Sequence, residues 1–305
     1  MDRLPEVEIQ LQGFFRPDFV TPERVQMSTD EAAPGMILGG SPRVRVRNAR
    51  VLQARELSRA GASEASFFQE HGFVLLSHRS AVQDWDVEAA SAANEDPSSH
   101  LYGPEVERLV RERLFPDRRV EVWQGAPVRR GPGTANPDYA LGVHQDFGVS
   151  PEDFQEGLEA FTGREIGGAW RARFESPDVL GFVMVDFWRS AGMKGPVRHM
   201  PLTICDASSV RPEDLVPLSI EGITPTGCPT NQLGLRYRED QRWFYYPEMT
   251  PDEVLAFKNF EFRKGEGAEQ AASCFHSAFE HPETPENTEV RQSSEHRVSV
   301  FLLAG

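Results

Sequence analysis

The sequence of 305 residues predicts a β-rich fold of the sandwich or barrel class, preceded by an N-terminal layer of helices and extended chain. Two observations support this prediction. After Pro116 the chain consists of short apolar runs separated by turn residues, a pattern that favours antiparallel strands over a parallel α/β sheet. The 23 Pro and 25 Gly residues interrupt long helices and supply frequent turns.

The N-terminal part, residues 1–115, is expected to pack on the core as an extension. Val44–Asn48 alternates apolar and charged residues, which predicts a half-exposed strand. A helix is predicted over Ala62–Glu70 and another over Pro104–Leu114, where apolar residues recur at helical spacing. A short apolar run, Phe73–Leu76, lies between the two helices.

The core, residues 116–305, is expected to form one compact unit with the extension. The pattern from Thr250 to Glu253 is typical of a capping box and predicts one helical turn that leads into a strand. The predicted strands of the core are Val120–Trp123, Leu141–His144, Leu180–Trp188, Leu202–Ile204, Trp243–Tyr246, Val254–Phe262 and Arg297–Leu302.

The composition excludes several classes of function. The 47 acidic residues exceed the 32 basic ones and give a net charge of −15, which argues against a nucleic-acid partner because phosphate contacts need Lys and Arg. No apolar run approaches the roughly 18–20 residues that span a bilayer, and the first residues lack the apolar segment of a secretory signal. Three cysteines without a Cys-x-x-C motif indicate neither a disulfide framework nor a zinc knuckle. We therefore expect a soluble, cytoplasmic protein.

A His-x-Asp pattern is the most informative chemical feature. Within a strand, side chains two residues apart share a face, so His144 and Asp146 are expected to project together. They would supply two ligands of the 2-His-1-carboxylate site that binds Fe(II) and leaves positions open. Among the eight histidines, His276 in a late apolar segment is the best candidate for the third ligand. Taken alone, the pattern also arises by chance, and His276 alone is more typical of a hydrogen-bonded core histidine.

A candidate anion receptor follows His276 in the last strand. Arg297 and Ser299 are expected to share one face, where a guanidinium and a hydroxyl can bind a planar carboxylate. Arg291 begins a second Arg-x-Ser pattern and is the alternative for the same role, while a surface arginine on an edge strand is the alternative without a function. Arg189, which follows an aromatic strand, is either a further carboxylate-binding candidate or a member of an ordinary ion pair.

The order His-x-Asp, late His, Arg-x-Ser is that of the 2-oxoglutarate-dependent dioxygenases. The chain resembles the iron/2-oxoglutarate oxygenases of secondary metabolism grouped around a cephamycin 7α-methoxylation protein, gibberellin-desaturase-like enzymes and a meroterpenoid endoperoxide-forming enzyme. Weaker similarity extends over most of the chain. The stretches that carry the resemblance are Val143–Asp146, Phe187–Arg189, Gly195–Leu202, Cys205–Ala207, Trp243–Pro247, Met249–Glu253 and Phe275–Phe279.

The resemblance implies a mainly β fold with a double-stranded β-helix core, that is, a jelly roll of the cupin-like type with flanking helices. It implies Fe(II) on His144, Asp146 and His276, with 2-oxoglutarate as cosubstrate and O2 as oxidant. The family's Arg-x-Ser-x-Glu-x-Arg segment matches residues 291–297, so either Arg291 or Arg297 could bind 2-oxoglutarate, and Arg297 is favoured. The implied reaction is hydroxylation, desaturation or related C–H oxidation of a small-molecule metabolite, with release of succinate and CO2. The substrate, the reaction outcome and any homo-oligomer are left open.

Three alternatives to an oxygenase are compatible with the same residues. A jelly-roll metal sensor would hold an ion at the His/Asp/His site without oxidation and would leave Arg297 without a role. A zinc hydrolase would activate a water molecule at the same three ligands. In a plain binding module, the His-x-Asp pattern would be structural. Succinate formation that depends on iron and O2 separates the oxygenase from all three.

Overall fold

The computed structural model describes residues 4–20, 23–28, 41–93, 101–265 and 273–305. These residues form thirteen strands and six helices, and the last turn of α4 continues as a π-helix over Val110–Leu114. The strands are β1 (Glu6–Gln10), β2 (Val25–Ser28), β3 (Arg43–Asn48), β4 (Phe73–Ser77), β5 (Val120–Arg130), β6 (Val179–Ser190), β7 (Leu202–Cys205), β8 (Leu215–Glu221), β9 (Thr230–Leu235), β10 (Trp243–Tyr245), β11 (Glu253–Arg263), β12 (His276–Ala278) and β13 (Ser293–Leu303). The helices are α1 (Ala49–Leu57), α2 (Glu64–His71), α3 (Trp85–Ala93), α4 (Tyr102–Leu109), α5 (Pro151–Thr162) and α6 (Arg164–Glu175).

The larger sheet is antiparallel throughout, with the strand order β4-β11-β6-β13-β5. Its two central strands, β6 and β13, are aligned so that Arg297 lies opposite Asp186 and Glu295 lies opposite Trp188. Because side chains alternate along a strand, these four residues share one face of the sheet. That face, called here the inner face, looks towards the second layer of strands.

The second layer consists of two smaller sheets that a short segment joins. One has the order β1-β3-β10-β7-β12, and the other has the order β2-β8-β9. Residues 142–146, called here the ligand segment, run between them: His144 pairs with His276 of β12, and Gln145 pairs with Leu233 of β9. Backbone hydrogen bonds of 3.0–3.2 Å run in both directions across each pair. Two curved, mainly antiparallel layers facing each other form a jelly roll, so the predicted fold class is confirmed.

The N-terminal part contributes strands to both layers. β3 runs parallel to β10 in the second layer, and β4 pairs with β11 at one edge of the larger sheet. β3, α2 and α4 with its π-helical extension correspond to the strand and the two helices that the sequence predicts. The division at residues 115 and 116 stays a prediction about folding units.

Several elements differ from the sequence-based expectations. The predicted strand over Leu141–His144 is wrong as a regular strand, because the chain forms only isolated bridges there. Two helices of the core, α5 and α6, are absent from the prediction. They pack on the larger sheet through an aromatic cluster in which Trp170 contacts Phe182 with ring centroids 5.1 Å apart. The predicted capping contact is present, since Glu253 accepts a hydrogen bond of 2.8 Å from the backbone N–H of Thr250. The predicted helical turn is not, because the chain forms only a hydrogen-bonded turn before β11 begins.

Candidate metal and cosubstrate site

Three side chains meet where the ligand segment faces the larger sheet. His144 and His276 lie directly opposite each other in the antiparallel pairing, and their ring centroids are 4.5 Å apart. Asp146 extends one carboxylate oxygen, Oδ1, to 3.6 Å from Nε2 of His144. Potential ligand atoms of all three residues lie within 4.8 Å of one another. The structure therefore brings together the three residues that the sequence singles out.

Backbone groups set the orientation of both imidazole rings. Nδ1 of His144 lies 2.7 Å from the carbonyl oxygen of Gly142, and Nδ1 of His276 lies 3.2 Å from that of Cys274. Because a carbonyl oxygen only accepts, each Nδ1 is the protonated nitrogen, and each Nε2 keeps a lone pair for a metal. Burial, together with the neighbouring imidazole of His144, lowers the pKa of His276 to about 4, so this ring is neutral near pH 7.

The conformation of the ligand segment depends on two local features. The buried side chain of Gln145 accepts a hydrogen bond of 2.8 Å from the N–H of Phe147, which stabilises the bend after Asp146. At the start of the ligand segment, the N–H of Val143 donates to the carbonyl of Gln12 at 2.8 Å. The next residue, Gly13, has a φ of +90°, and a Cβ there would lie 2.7 Å from the nitrogen of Val143. The N-terminal chain can approach the ligand segment this closely because Gly13 lacks a side chain.

Arg297 lies beside Asp146 and is surrounded by carboxylates. Its Nη2 donates to Oδ2 of Asp146 at 2.9 Å and to Oε2 of Glu295 at 3.0 Å. Its Nε lies 3.6 Å from Oδ2 of the buried Asp186. Burial would raise the pKa of Asp146, but the charge of Arg297, with the two imidazoles, holds that pKa well below its usual range. The carboxyl group of Asp146 is therefore ionised and available to a metal.

Arg291 also lies near the triad, but its environment differs from that of Arg297. It is buried, and it lines a small cavity together with all three residues of the triad. The centre of its guanidinium lies 4.1 Å from the ring centroid of Tyr139 and 5.5 Å from that of Trp188. One Nη donates to the carbonyl of Met200. Within the described residues no carboxylate forms an ion pair with Arg291, and burial lowers its pKa to about 10.

Several buried polar atoms around Arg291 have no partner among the described residues. They are Nε of Arg291, Nε1 of Trp188 and the hydroxyls of Ser190 and Ser293. In the strand register Ser190 lies opposite Ser293, next to the pair of Trp188 and Glu295. Buried donors without partners are costly, and a group of them around an unpaired guanidinium fits a bound anion.

Ser299 lies on the same strand face as Arg297 but outside the cavities next to the triad. It is half-buried, between Met184 of β6 and Trp123 of β5. It is not among the residues that line either of the two cavities next to the triad. A role for Ser299 in binding a cosubstrate has no geometric support.

Arg189 points away from the triad, which corrects its assignment as a candidate for binding a carboxylate. In the register it lies opposite Ser294, on the outer face of the larger sheet. There it donates a hydrogen bond of 3.2 Å to Nδ1 of His78, and its guanidinium lies 5.1 Å from the ring centroid of Trp85. Because neighbouring residues of a strand face opposite sides, Arg189 packs against α3 and α4 on the outer face instead.

The comparison with known families places the chain in one of them. A family model described as an oxidoreductase/YMDC permease-like domain matches residues 47–301, which include the triad and both Arg291 and Arg297. The chain belongs to this family. Among the described residues of this family member, no helix is long and apolar enough to cross a membrane.

Individual relatives support the resemblance predicted from the sequence. This family member is 32 % identical over 125 residues to aspirochlorine biosynthesis protein N of Aspergillus oryzae (39 % of this chain, 47 % of the relative). It is 30 % identical over 178 residues to hydroxylase/desaturase efuI of Hormonema carpetanum (55 % and 53 %). The chain thus spans about half the length of the curated relatives that it matches. The names of such relatives confirm the resemblance to secondary-metabolism oxygenases.

A solved structure confirms the fold over almost the whole chain. The iron and alpha-ketoglutarate-dependent endoperoxidase NvfI superposes with a TM-score of 0.68 at 21 % sequence identity. The superposition covers 98 % of this chain and 99 % of that one. At this identity the likeness concerns the jelly-roll fold.

The sequence analysis missed two carboxylates of the site. Asp186 is the only acidic residue of β6 and follows seven residues without a polar side chain, and such an isolated acidic residue signals a buried partner. Glu295 lies between Arg291 and Arg297 in the sequence and bonds to Arg297. Glu295 could have been found from the sequence, because residues two apart in a strand share a face and Glu295 is two positions from Arg297. Asp186 could not be assigned to the site without the cross-strand register, because Arg297 is distant from it in sequence.

Proposed function

We propose that this protein is an Fe(II)- and 2-oxoglutarate-dependent oxygenase that acts on a small-molecule secondary metabolite. One observation carries the proposal: a His/Asp/His triad shares its cavity with Arg291, a buried guanidinium that lacks a carboxylate partner among the described residues. The triad supports a metal site, and the unpaired arginine supports an anionic cosubstrate next to it. A metal sensor or a hydrolase would have no use for this second feature.

The donor set suits Fe(II). Two imidazoles and one ionised carboxylate on one side of an ion match the 2-His-1-carboxylate arrangement, which keeps further positions free. The carbonyls of Gly142 and Cys274 fix the rings so that both Nε2 atoms are available. Arg297 binds Oδ2 of Asp146 and leaves Oδ1 to face the histidines. Such outer hydrogen bonds orient metal ligands and raise metal affinity.

We assign the distal carboxylate of 2-oxoglutarate to Arg291, although the sequence favours Arg297. Arg297 already pairs with the carboxylates of Asp146 and Glu295, which would repel a further carboxylate, and it also faces Asp186, whose pKa burial raises to about 8. Arg291 has no such neighbour within ion-pair distance among the described residues, and a bidentate bond to a carboxylate would compensate for its burial. The unpartnered hydroxyl of Ser293 and N–H of Trp188 are suitable additional donors.

In the proposed reaction each residue of the site has one role. Bound iron would supply the oxidation of the substrate by O2, coupled to conversion of 2-oxoglutarate into succinate and CO2. His144, Asp146 and His276 hold the ion, and Arg291 orients the cosubstrate. Phe257, whose ring lies 4.9 Å from that of His276, shields this side of the site from water.

Two measurements on the purified protein test the proposal. Anaerobic addition of Fe(II) and then 2-oxoglutarate should give a weak visible charge-transfer band, and admission of O2 should give succinate. Replacing Fe(II) by Zn(II) should abolish both signals. Bound iron without either signal would contradict the proposal and favour a metal sensor, whereas zinc-dependent hydrolysis would favour the hydrolase.

A further inference from the structure

A second, larger cavity adjoins the triad. Its volume is about 600 Å³, and His144, Asp146 and Arg297 form its inner end. The β2-β8-β9 sheet contributes one wall, and the end of α5 contributes part of the rim. Cavities of this size hold small organic molecules of a few hundred daltons. A molecule bound here would lie directly beside the candidate metal.

The walls of this cavity are predominantly apolar. Two of the apolar side chains that line it, Phe161 and Ile223, are 44 % and 37 % exposed. A bound apolar molecule would cover them. A sugar or a free amino acid would instead leave most of its polar groups without partners against these walls. The apolar lining residues are Phe15, Met27, Val128, Val143, Phe161, Leu218, Ile220 and Ile223.

One cationic side chain lies between the apolar cavity and the triad. Arg130 lines both the large cavity and the small one that holds Arg291. Its Nη1 donates to the carbonyl of Asp138 at 3.0 Å, and its Nε lies 3.4 Å from Glu295. Unlike Arg297, it is paired with a single carboxylate, and its side chain is 24 % exposed. Its guanidinium can therefore bind a carboxylate at the inner end of the cavity.

We propose that this cavity binds the compound to be oxidised, and that this compound is a largely apolar molecule of a few hundred daltons with one carboxylate group bound by Arg130. The inference rests on the proposed function, because it gives the same site its substrate class. The apolar body fills the space along the β2-β8-β9 sheet. The carboxylate anchors one end, so that a C–H bond of the body faces the triad.

Two fluorescent probes with the same apolar body test this proposal. 1-Pyrenebutyrate carries a carboxylate, whereas 1-pyrenebutanol ends in a neutral hydroxyl. We expect the protein to bind the butyrate at least tenfold more tightly than the butanol. Arg130→Gln should remove this preference and leave the affinity for the butanol unchanged. Phe161→Asp should weaken binding of both probes at least tenfold, because it charges the rim of the cavity.

The matched control is Ile166→Asp, which alters a residue of α6 that is 49 % exposed and does not line the cavity. It should change neither affinity more than twofold, and thermal unfolding checks that each variant is folded. The proposal is overturned if Phe161→Asp acts no more strongly than this control, or if Arg130→Gln keeps the preference for the butyrate. Loss of 2-oxoglutarate binding in Arg130→Gln would also overturn it, since Arg130 would then serve the cosubstrate.

The charge-transfer band, recorded without either probe, separates this proposal from the proposed function. If the wild-type protein gives the band but binds neither probe, the substrate class is wrong and the oxygenase assignment stands. If the wild-type protein lacks the band although iron is bound, the oxygenase assignment fails, and with it the role of the cavity in oxidation.

Discussion

Arg297 donates a hydrogen bond of 2.9 Å from Nη2 to Oδ2 of Asp146. The two residues belong to different layers, since Arg297 lies in β13 of the larger sheet and Asp146 lies in the ligand segment of the second layer. The same guanidinium also pairs with Glu295 and faces Asp186, whose pKa burial raises to about 8. Under the proposed function, this contact makes Arg297 a positioning residue for the metal ligand, and Arg291 is the residue proposed to bind the cosubstrate.

The two arginines should therefore respond differently to substitution. Arg297→Gln is expected to weaken iron binding about ten- to hundredfold, because Asp146 loses the donor that orients it. Arg291→Gln is expected to weaken 2-oxoglutarate binding about a hundredfold or more while iron affinity stays the same. Anaerobic titrations of metal and cosubstrate, followed by the charge-transfer band, measure both effects.

The surface arginine Arg171, which pairs with Glu152 and Glu175, offers a control variant, Arg171→Gln. It should leave both affinities unchanged. The roles are reversed, as the sequence favours, if Arg297→Gln lowers the affinity for 2-oxoglutarate and Arg291→Gln does not.

Removal of one proposed metal ligand should abolish iron binding. His276→Ala and Asp146→Ala each delete one of three ligands, and two ligands hold Fe(II) too weakly to survive desalting. His281→Ala is the control, because this ring bonds the Tyr245 hydroxyl at 3.0 Å and lies outside the triad. Iron content per chain after anaerobic loading is the measurement. Full iron content in both ligand variants would make the His-x-Asp pattern structural.

Ala substitutions at Gly13 and Gly61 separate two effects, which are the cost of a side chain at positive φ and the loss of the close contact between the N-terminal chain and the ligand segment. Both have positive φ, so Ala at either position costs about 1–2 kcal/mol in the free energy of unfolding. Only at Gly13 would the added Cβ meet other atoms, those of the ligand segment. Gly13→Ala should therefore also lower iron affinity, whereas Gly61→Ala should not. Urea unfolding and iron titration test this, and equal iron affinities would refute it.

His71 predicts a pH-dependent contribution to stability. Its Nδ1 lies 2.9 Å from Asp206 and its Nε2 lies 2.8 Å from Glu56. Burial lowers its pKa, but the bonds to the two carboxylates outweigh burial and raise the pKa above the ordinary 6.5. A raised pKa in the folded state means that the stabilisation is complete below about pH 6.5 and is lost as pH rises through the folded value.

We therefore expect wild type to exceed His71→Phe in free energy of unfolding by about 1–3 kcal/mol at pH 5.5, and by less at pH 8.5. Phe is chosen because the neighbouring Phe67 and Phe73 can pack against it. Urea unfolding at both pH values gives the difference. A difference that is the same at both values would show that His71 does not change its charge in this range.

Two members of the triad were predictable because a single local rule, that residues two apart can share a face, brings His144 and Asp146 together. The third, His276, depended on its place in a late apolar segment and on the family resemblance. The rule worked although the segment is not a regular strand, since single bridges to β12 and β9 hold the backbone extended. The choice between Arg291 and Arg297 was not predictable. It depends on carboxylates such as Asp186, which the register of β6 and β13 brings to Arg297 from far away in sequence.

The helices of the core escaped prediction for a different reason. α5 begins with Ser150 as N-cap and Pro151 in the first turn, which is an ordinary helix start. The surrounding short apolar runs favoured strands, and the aromatic residues of α6, such as Trp170 and Phe174, also suit strands. Packing on the larger sheet, which a local pattern does not contain, stabilises these two helices.

The pairing of His144 with His276 has a consequence for the stability of the folded protein. The two residues are about 130 positions apart, so a metal bound by both would act as a cross-link that closes a long loop of the chain. Such a cross-link exists only in the folded state, so metal binding shifts the folding equilibrium towards that state. In a cell short of iron, the metal-free protein would unfold more often and be degraded sooner.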